Sequence, residues 1–259
     1  MGVDVGAETI KAIVLSDGEP TGRSAVAPGL EQQAGLERAT AEALAAAGVA
    51  RERVSETAAT GVGRGAATGA WKVTEVTAAA KGACALRSEV RTLIDVGAEG
   101  ARAVRLSDDG RVADFVINEK CAAGAGAFVE AMARALEVPL ERMGALSLRS
   151  EKAVPLNAQC VVFAESEVVS LIHSRTPKAD IARAIHDAIA GRTASMARRV
   201  GVRPPVMLVG GMGRNEGFVE SLKRALELEE ILVPEHPEFV GAYGAALIAA
   251  ARHERRRRR

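Results

Sequence analysis

Aromatic side chains are scarce in this chain. One tryptophan, one tyrosine and five phenylalanines serve 259 residues. A core of ordinary size must therefore be assembled from Ala, Val, Leu and Ile, which supply much of the 48% hydrophobic content. Charge of one sign is also missing. The formal net charge is +1, which removes any global electrostatic case for nucleic acid as a partner. No window approaches the roughly 18 apolar residues of a membrane-spanning helix, so no membrane partner is expected. Only three cysteines are present, and the chain enters the strand-like "GVDVG" at once, leaving no room for a signal peptide. A cytoplasmic protein is expected, and a disulfide framework is not. The cysteines are left with a metal site, a reactive thiol or plain packing. The one basic run, Arg255–Arg259, reads as a flexible solvated tail.

What the chain does have is a repeat. "DVGAE" occurs at Asp4–Glu8 and again at Asp95–Glu99, 91 residues later, and the flanks match: "DVGAETIKAIVLSDG" against "DVGAEGARAVRLSDDG". The first copy reads as two strands with a tight turn at Gly6, where the missing side chain lets the backbone approach a ligand. "GLERATAEALAAAGV" has helical periodicity and ends at Gly48, a plausible C-cap. "VSETAATGVGR" is a strand running into a glycine loop, and "VTAAAKGACALRSEV" is helical. The pattern then restarts as strand, turn, strand, hairpin, strand through "RTLIDVGAEGARAVRLSDDGRVADFVIN". "CAAGAGAFVEAMARALEV", "CVVFAESEVVSLIH" and "KADIARAIHDAIAGRTASMARRV" follow as helices. "PPVMLVGGMG" is a buried strand, "NEGFVESLKRALEL" a helix, "EILVPE" a short strand and "GAYGAALIAAARHE" a closing helix. Strands alternating with helices give an α/β protein. The repeat divides it into a first lobe at 1–91, joined by the helix near 240–253, a second lobe at 92–239, and the tail at 254–259.

Taken singly, an Asp-Val-Gly strand end is a simple hairpin. Taken twice, the hairpins predict two jaws facing a cleft. Each jaw offers exposed backbone N–H groups for phosphate oxygens and one carboxylate, Asp4 or Asp95, that holds Mg²⁺ through its water shell. Phosphates plus Mg²⁺ describe a nucleoside triphosphate site. The candidate contacts are Gly6, Ala7, Thr9 and Lys11 at the first hairpin and Gly97 and Ala98 at the second. "LVGGMGRN" adds Gly210, Gly211 and Met212 in a third glycine turn, suited to the nucleoside and α-phosphate.

The order of hairpin, second hairpin and late "VGGMG" resembles the actin/Hsp70/sugar-kinase (ribonuclease H-like) superfold, a two-lobed α/β architecture with duplicated β-hairpin phosphate loops. "NEKCAAGAGAFVEAMARALEV" and "NAQCVVFAESEVVSLIH" resemble the BadF/BadG/BcrA/BcrD ATPase family, and the resemblance runs from Gly2 to about Ala250. It implies ATP/ADP and Mg²⁺ as ligands, and a role either in activating 2-hydroxyacyl-CoA dehydratases or as the ATP-hydrolysing part of benzoyl-CoA reductase. The wording of "CAAGAGAFVEAMARAL", "ESEVVSLIH" and "VGAEGARAV" is most similar to the D-type ATP-binding subunits of the reductases. Dehydratase activators usually read "GGQDSK" where this chain has "GAEGAR", Gly97–Arg102. At the first hairpin Ala7 stands where Ser or Thr is frequent, with Thr9 as a stand-in. Arg64 in "TGVGR" occupies a loop that the resemblance turns toward the nucleotide, its alternative being a loop-surface role.

Cys121 and Cys160 each open a helical pattern, where the partial positive charge of a helix N-terminus stabilises a thiolate. Isolated buried cysteines are the competing reading. Clusters normally take four thiolates, and two chains supply four. The resemblance accordingly implies a [4Fe–4S] cluster shared between two chains. Cys84 lies on an apolar helical face and reads as packing, and His173 and His186 read as surface residues. Glu165, five residues after Cys160, either links nucleotide state to the cluster helix or is a plain solvated glutamate. The expected function is an ATP-hydrolysing iron–sulfur subunit passing low-potential electrons to a partner that reduces an aromatic acyl-CoA. Its expected partners are a paralogous ATP-binding subunit, larger acyl-CoA-reducing subunits, and a ferredoxin or flavodoxin donor. The alternatives are a homodimeric dehydratase activator, a small-molecule kinase and a silent structural partner.

Overall fold

The computed structural model describes residues 1–118, 126–156 and 161–258, so Cys121 and Cys160 lie outside the described residues. The chain divides into two compact units. One comprises Met1–Leu93, Leu106–Ala113 and Glu238–Arg259, and the other Ile94–Arg105 and Asp114–Pro237.

The first unit is built on a sheet in the order β3-β2-β1-β4-β5. Its strands are β1 (Gly2–Val5), β2 (Ile10–Ser16), β3 (Glu19–Val26), β4 (Ala58–Thr60) and β5 (Trp71–Lys72). β1 and β2 form the antiparallel hairpin that the sequence predicts, with Asp4 opposite Lys11. β4 joins β1 in parallel and sets Thr60 opposite Asp4. β3 was not expected from the sequence. "EPTGRSAV" carries Pro20 and Gly22, residues that weaken a strand, yet β3 is an edge strand, and its pairing with β2 shifts register between Val14, opposite Gly22, and Leu15, opposite Pro20.

Helix α1 (Gln32–Ala47) ends where predicted. Gly48 takes φ 63°, and its N–H and that of Val49 donate to Ala45 and Leu44 carbonyls. α2 (Glu75–Leu86) is capped by Thr74, whose hydroxyl accepts from the Thr77 N–H at 3.2 Å. α2 packs on the closing helix α8 (Val240–Arg257) with almost no side chain between them. A Cβ on Gly244 would strike the Ala78 carbonyl, and one on Gly82 the Val240 carbonyl. A core poor in aromatics is filled here by backbone approaching backbone.

α8 runs through Arg257, where the sequence reading placed a flexible tail. Arginine is a good helix former, and cations at a helix C-terminus suit its dipole. Arg252 and Arg256 also bind Glu56, at 2.9 and 3.3 Å.

The second sheet has the order β8-β7-β6-β9, from β6 (Thr92–Val96), β7 (Ala101–Leu106), β8 (Val112–Asn118) and β9 (Val206–Val209). The expected strand in "EILVPE" contracts to one parallel bridge, Met207 with Leu232. Helices α3 (Gly126–Ala135), α4 (Met143–Ser147), α5 (Val161–His173), α6 (Lys178–Arg199) and α7 (Glu216–Leu226) complete the unit. Its core joins Phe128, Met132, Ile181, Ile185, Phe218 and Leu222.

His173 is exposed, as expected, but His186 is not a surface residue: its exposure is 0%. It follows Ile185 on the face of α6 that packs on α7, and its imidazole bonds Asn215 at 3.0 Å. Burial lowers its pKa to about 4; the Asp187 carboxylate pulls it up and the Arg224 charge pushes it down. The unfolded chain therefore binds a proton that the native chain refuses.

Two outcomes are expected. Gly244→Val should cost at least about 2 kcal/mol in urea unfolding, because the new side chain meets backbone that cannot yield. His186 contributes stability that is full above about pH 6.5 and is lost as pH falls toward 4, roughly 3 kcal/mol at most. Urea midpoints across that window should fall less steeply with acid in His186→Gln than in the wild type.

Candidate functional site

Two half-sites built alike occupy the two units. In the first, Asp4 closes β1 and the Gly6 N–H donates to the Thr9 carbonyl at 3.2 Å, closing the turn. The Lys11 ammonium donates to that same carbonyl at 3.2 Å and lies 3.8 Å from the Asp4 carboxylate. Beside Asp4, at the end of the parallel strand β4, Gly61 takes φ +90°. A Cβ there would sit 2.5 Å from Asp4 Oδ1. Only glycine satisfies both the left-handed backbone and the approach to the carboxylate. The Arg64 guanidinium donates to the Gly61 carbonyl at 2.9 Å, so it holds this glycine loop from behind. Gly241, in the first turn of α8, also faces Asp4: a Cβ there would lie 3.5 Å from Oδ2.

In the second half-site Asp95 sits near the end of β6, and the Gly97 N–H donates to the Gly100 carbonyl at 2.9 Å. Arg102 lies 3.3 Å from Asp95, as Lys11 lies beside Asp4. At the end of the neighbouring strand β9, Gly210 takes φ +84°, and a Cβ there would sit 2.6 Å from Asp95 Oδ1. A 3₁₀ turn, Gly211–Arg214, follows Gly210 just as the turn Arg64–Ala66 follows the Gly61 loop. Gly211 is exposed and has open space where its side chain would be, while Met212 is buried.

Among the described residues, one link is found in the second half-site and not in the first. The Gly97 and Ala98 carbonyls accept from the Gly126 and Ala127 N–H groups, at 2.8 and 2.9 Å. The hairpin turn is thereby bonded to the first residues of α3. Met212 also reaches this helix start, its sulfur 3.5 Å from where a Gly126 Cβ would be.

The structure thus groups Asp4, Gly6, Thr9 and Lys11 in one half-site, with Ala7 in its hairpin turn and Arg64 behind its glycine loop. It groups Asp95, Gly97, Ala98, Gly210 and Met212 in the other, with Gly211 on its rim. Glu165 is exposed on α5 and belongs to neither cluster. Cys84 donates to the Gly110 carbonyl at 3.5 Å, and burial raises its pKa, in keeping with a packing role.

Sequence reasoning missed Gly61, Thr60 and Arg102. Arg102 had a signal, because it lies 91 residues after Lys11, the offset that separates the two aspartates. Gly61 had one in the likeness of "TGVGR" to "VGGMGR". Thr60, whose buried hydroxyl has no hydrogen-bond partner among the described residues, had none.

The sequence profile of the BadF/BadG/BcrA/BcrD ATPase family matches residues 1–249. The chain belongs to that family. The 2-hydroxyisocaproyl-CoA dehydratase activator of Clostridioides difficile is 36% identical over 96% of this chain and 94% of its own length. The D-type subunit of the Thauera aromatica benzoyl-CoA reductase is 31% identical over 98% of this chain and 94% of its own length. The solved structure of that dehydratase activator with bound ADPNP superposes with a TM-score of 0.95 at 34% identity, covering 99% of this chain and 96% of that one. A ROK family glucokinase from Streptomyces griseus, 17% identical, covers 96% of this chain and 98% of its own with a TM-score of 0.60, and so shares the fold alone. The fold is the expected actin/Hsp70/sugar-kinase one. The order of likeness differs from the sequence reading, which favoured the reductase: the activator stands ahead of the D-type protein. Among the described residues, no helix is long and apolar enough to cross a membrane.

The two glycine positions give a direct test. Gly61→Ala and Gly210→Ala should each weaken binding of a Mg²⁺–ATP analogue at least about tenfold by calorimetric titration. Each should also cost about 1–2 kcal/mol of stability, since a side chain at these φ values is strained and displaces the aspartate.

Proposed function

We propose that this chain is the ATP-hydrolysing activator of a 2-hydroxyacyl-CoA dehydratase, working as a dimer that feeds single electrons to the dehydratase. The observation that carries this reading is the near full-length likeness to a dehydratase activator. Each half-site suits a Mg–nucleotide: its turn presents backbone amides to phosphate oxygens, and Asp4 and Asp95 are carboxylates fit to hold Mg²⁺ through water. With such a ligand bound, Asp4 and Asp95 would face the cation, and Lys11 and Arg102 would be the cations placed to meet phosphate oxygens. Mg²⁺ would neutralise phosphate charge during hydrolysis.

Cys121 and Cys160 would be the ligands of a [4Fe–4S] cluster, two from each of two chains, a reading that rests on the family resemblance together with the count of four thiolates. The cluster would supply one-electron chemistry, with a reduced ferredoxin or flavodoxin as donor. The bonds from Gly97 and Ala98 to α3 support a mechanical route from nucleotide to this region, since α3 follows Cys121 in sequence by five residues. In the second reading the chain is the D-type component of a benzoyl-CoA reductase, paired with a paralogue. The "GAEGAR" hairpin and the likeness to the Thauera aromatica protein favour it.

Production of the chain alone under anaerobic conditions separates the two. Native mass spectrometry should find a homodimer with one cluster, and Mg-dependent ATP turnover should be lost in Asp4→Asn and Asp95→Asn. Cys121→Ser and Cys160→Ser should each remove the iron and sulfide, while Cys84→Ser keeps them. A cluster that assembles only on co-production with a paralogue would instead establish the reductase reading. Full iron in the Cys121 variant would remove the cluster assignment.

A further inference from the structure

We infer that His186 is a positioning residue for the nucleotide turn Gly210–Arg214, acting through the orientation of the Asn215 amide. The inference rests on the reading that this turn contacts nucleotide.

Asn215 joins the turn to α7. Its backbone N–H donates to the Met212 carbonyl at 3.1 Å, closing the turn. Its Oδ1 accepts from the Phe218 N–H at 3.0 Å, capping α7. Its Nδ2 is then left to donate, and the atom it meets is His186 Nε2, at 3.0 Å. A side-chain amide has two orientations that differ by exchange of oxygen and nitrogen. If Asn215 turned over, its NH₂ would face the Phe218 N–H, donor against donor, and the cap would be lost. His186 opposes that rotation only while Nε2 carries no proton. The imidazole must therefore be neutral with its proton on Nδ1.

Burial keeps the imidazole neutral, the Asn215 amide selects the tautomer, and the cost of that tautomer is visible. Nδ1 is buried without a hydrogen-bond partner among the described residues. An orphaned donor of that kind costs on the order of 1–3 kcal/mol. An apolar side chain at this fully buried position would carry no such penalty. What an apolar side chain lacks is the acceptor for Asn215. The turn is also bonded from Gly213 N–H to the Gly210 carbonyl and from Gly210 N–H to the Pro237 carbonyl. Those bonds hold its start, and Asn215 holds its end.

The test measures binding of Mg²⁺ with a non-hydrolysable ATP analogue by calorimetry, well below each variant's melting temperature. His186→Leu should raise Kd about tenfold or more, whereas His186→Gln, which offers an oxygen acceptor at similar reach, should stay within about threefold of wild type. Asn215→Ser keeps a cap for Phe218 but cannot reach His186, and it should show the same loss. The double variant His186→Leu with Asn215→Ser should be no worse than either alone, because both break one link. A residue that only fills the core would lower the melting temperature of His186→Leu, leave its affinity intact and gain nothing from glutamine. Should His186→Leu not fold, Asn215→Ser decides. Wild-type binding retained in the leucine and serine variants would overturn the inference alone. Absence of nucleotide binding in the wild type would overturn the nucleotide reading and this inference with it.

Discussion

An acidic side chain with a glycine backbone pressed against it is the constraint on which each half of this molecule depends. Asp4 meets Gly61 and Asp95 meets Gly210, and at both places a single added carbon would lie within about the length of a hydrogen bond of the carboxylate. The contact requires a strand ending beside the hairpin strand and a turn that leaves it with positive φ. It also requires a sheet in which the hairpin and that strand are neighbours. Both sheets meet these conditions in the same way: β3-β2-β1-β4 in one and β8-β7-β6-β9 in the other. The carboxylate keeps partial exposure because glycine, rather than a side chain, covers it, and partial exposure is what a cation brought by a ligand needs.

The duplication is close in geometry and unequal in its surroundings. The first hairpin faces the opening turn of α8, whose N-terminal dipole favours the Asp4 charge. The second is bonded through Gly97 and Ala98 to the opening of α3. Two nearly identical hairpin turns thus sit in different surroundings: one faces the start of the closing helix, and the other is hydrogen-bonded to the helix that follows the Cys121 segment in sequence.

The pentapeptide repeat made the hairpins, their aspartates and the α/β class legible, because a tight turn after a strand leaves a local signature. The strands that complete each half-site were readable only as strands. That Gly61 lies against Asp4 depends on a parallel pairing across more than 50 residues, which no local pattern encodes. β3 was hidden for a related reason, since a proline- and glycine-bearing segment becomes a strand only when a neighbour supplies the ladder. His186 was misread because a histidine followed by an aspartate looks solvated; its burial is decided by α7, which arrives some 30 residues later. Cys121 and Cys160 fall outside the described residues, so only the sequence speaks for them.

The two cations show how far the halves have diverged in chemistry. Lys11 lies 3.8 Å from Asp4 and shares its ammonium with the Thr9 carbonyl, so its hold on the carboxylate is loose. Arg102 lies 3.3 Å from Asp95 with a side chain only 7% exposed. A guanidinium stays charged under all conditions of interest and grips oxygen pairs in its own plane, where an ammonium is a rotatable point charge. Breaking a pair of the second kind by removing one partner costs about 3–5 kcal/mol, most of it for the charge left behind. On the proposed nucleotide reading, a Mg²⁺-bearing ligand would offset that cost by bringing a cation for Asp95 and phosphate oxygens for Arg102 together. The second hairpin therefore carries the tighter ion pair of the two, and it is also the hairpin bonded to α3.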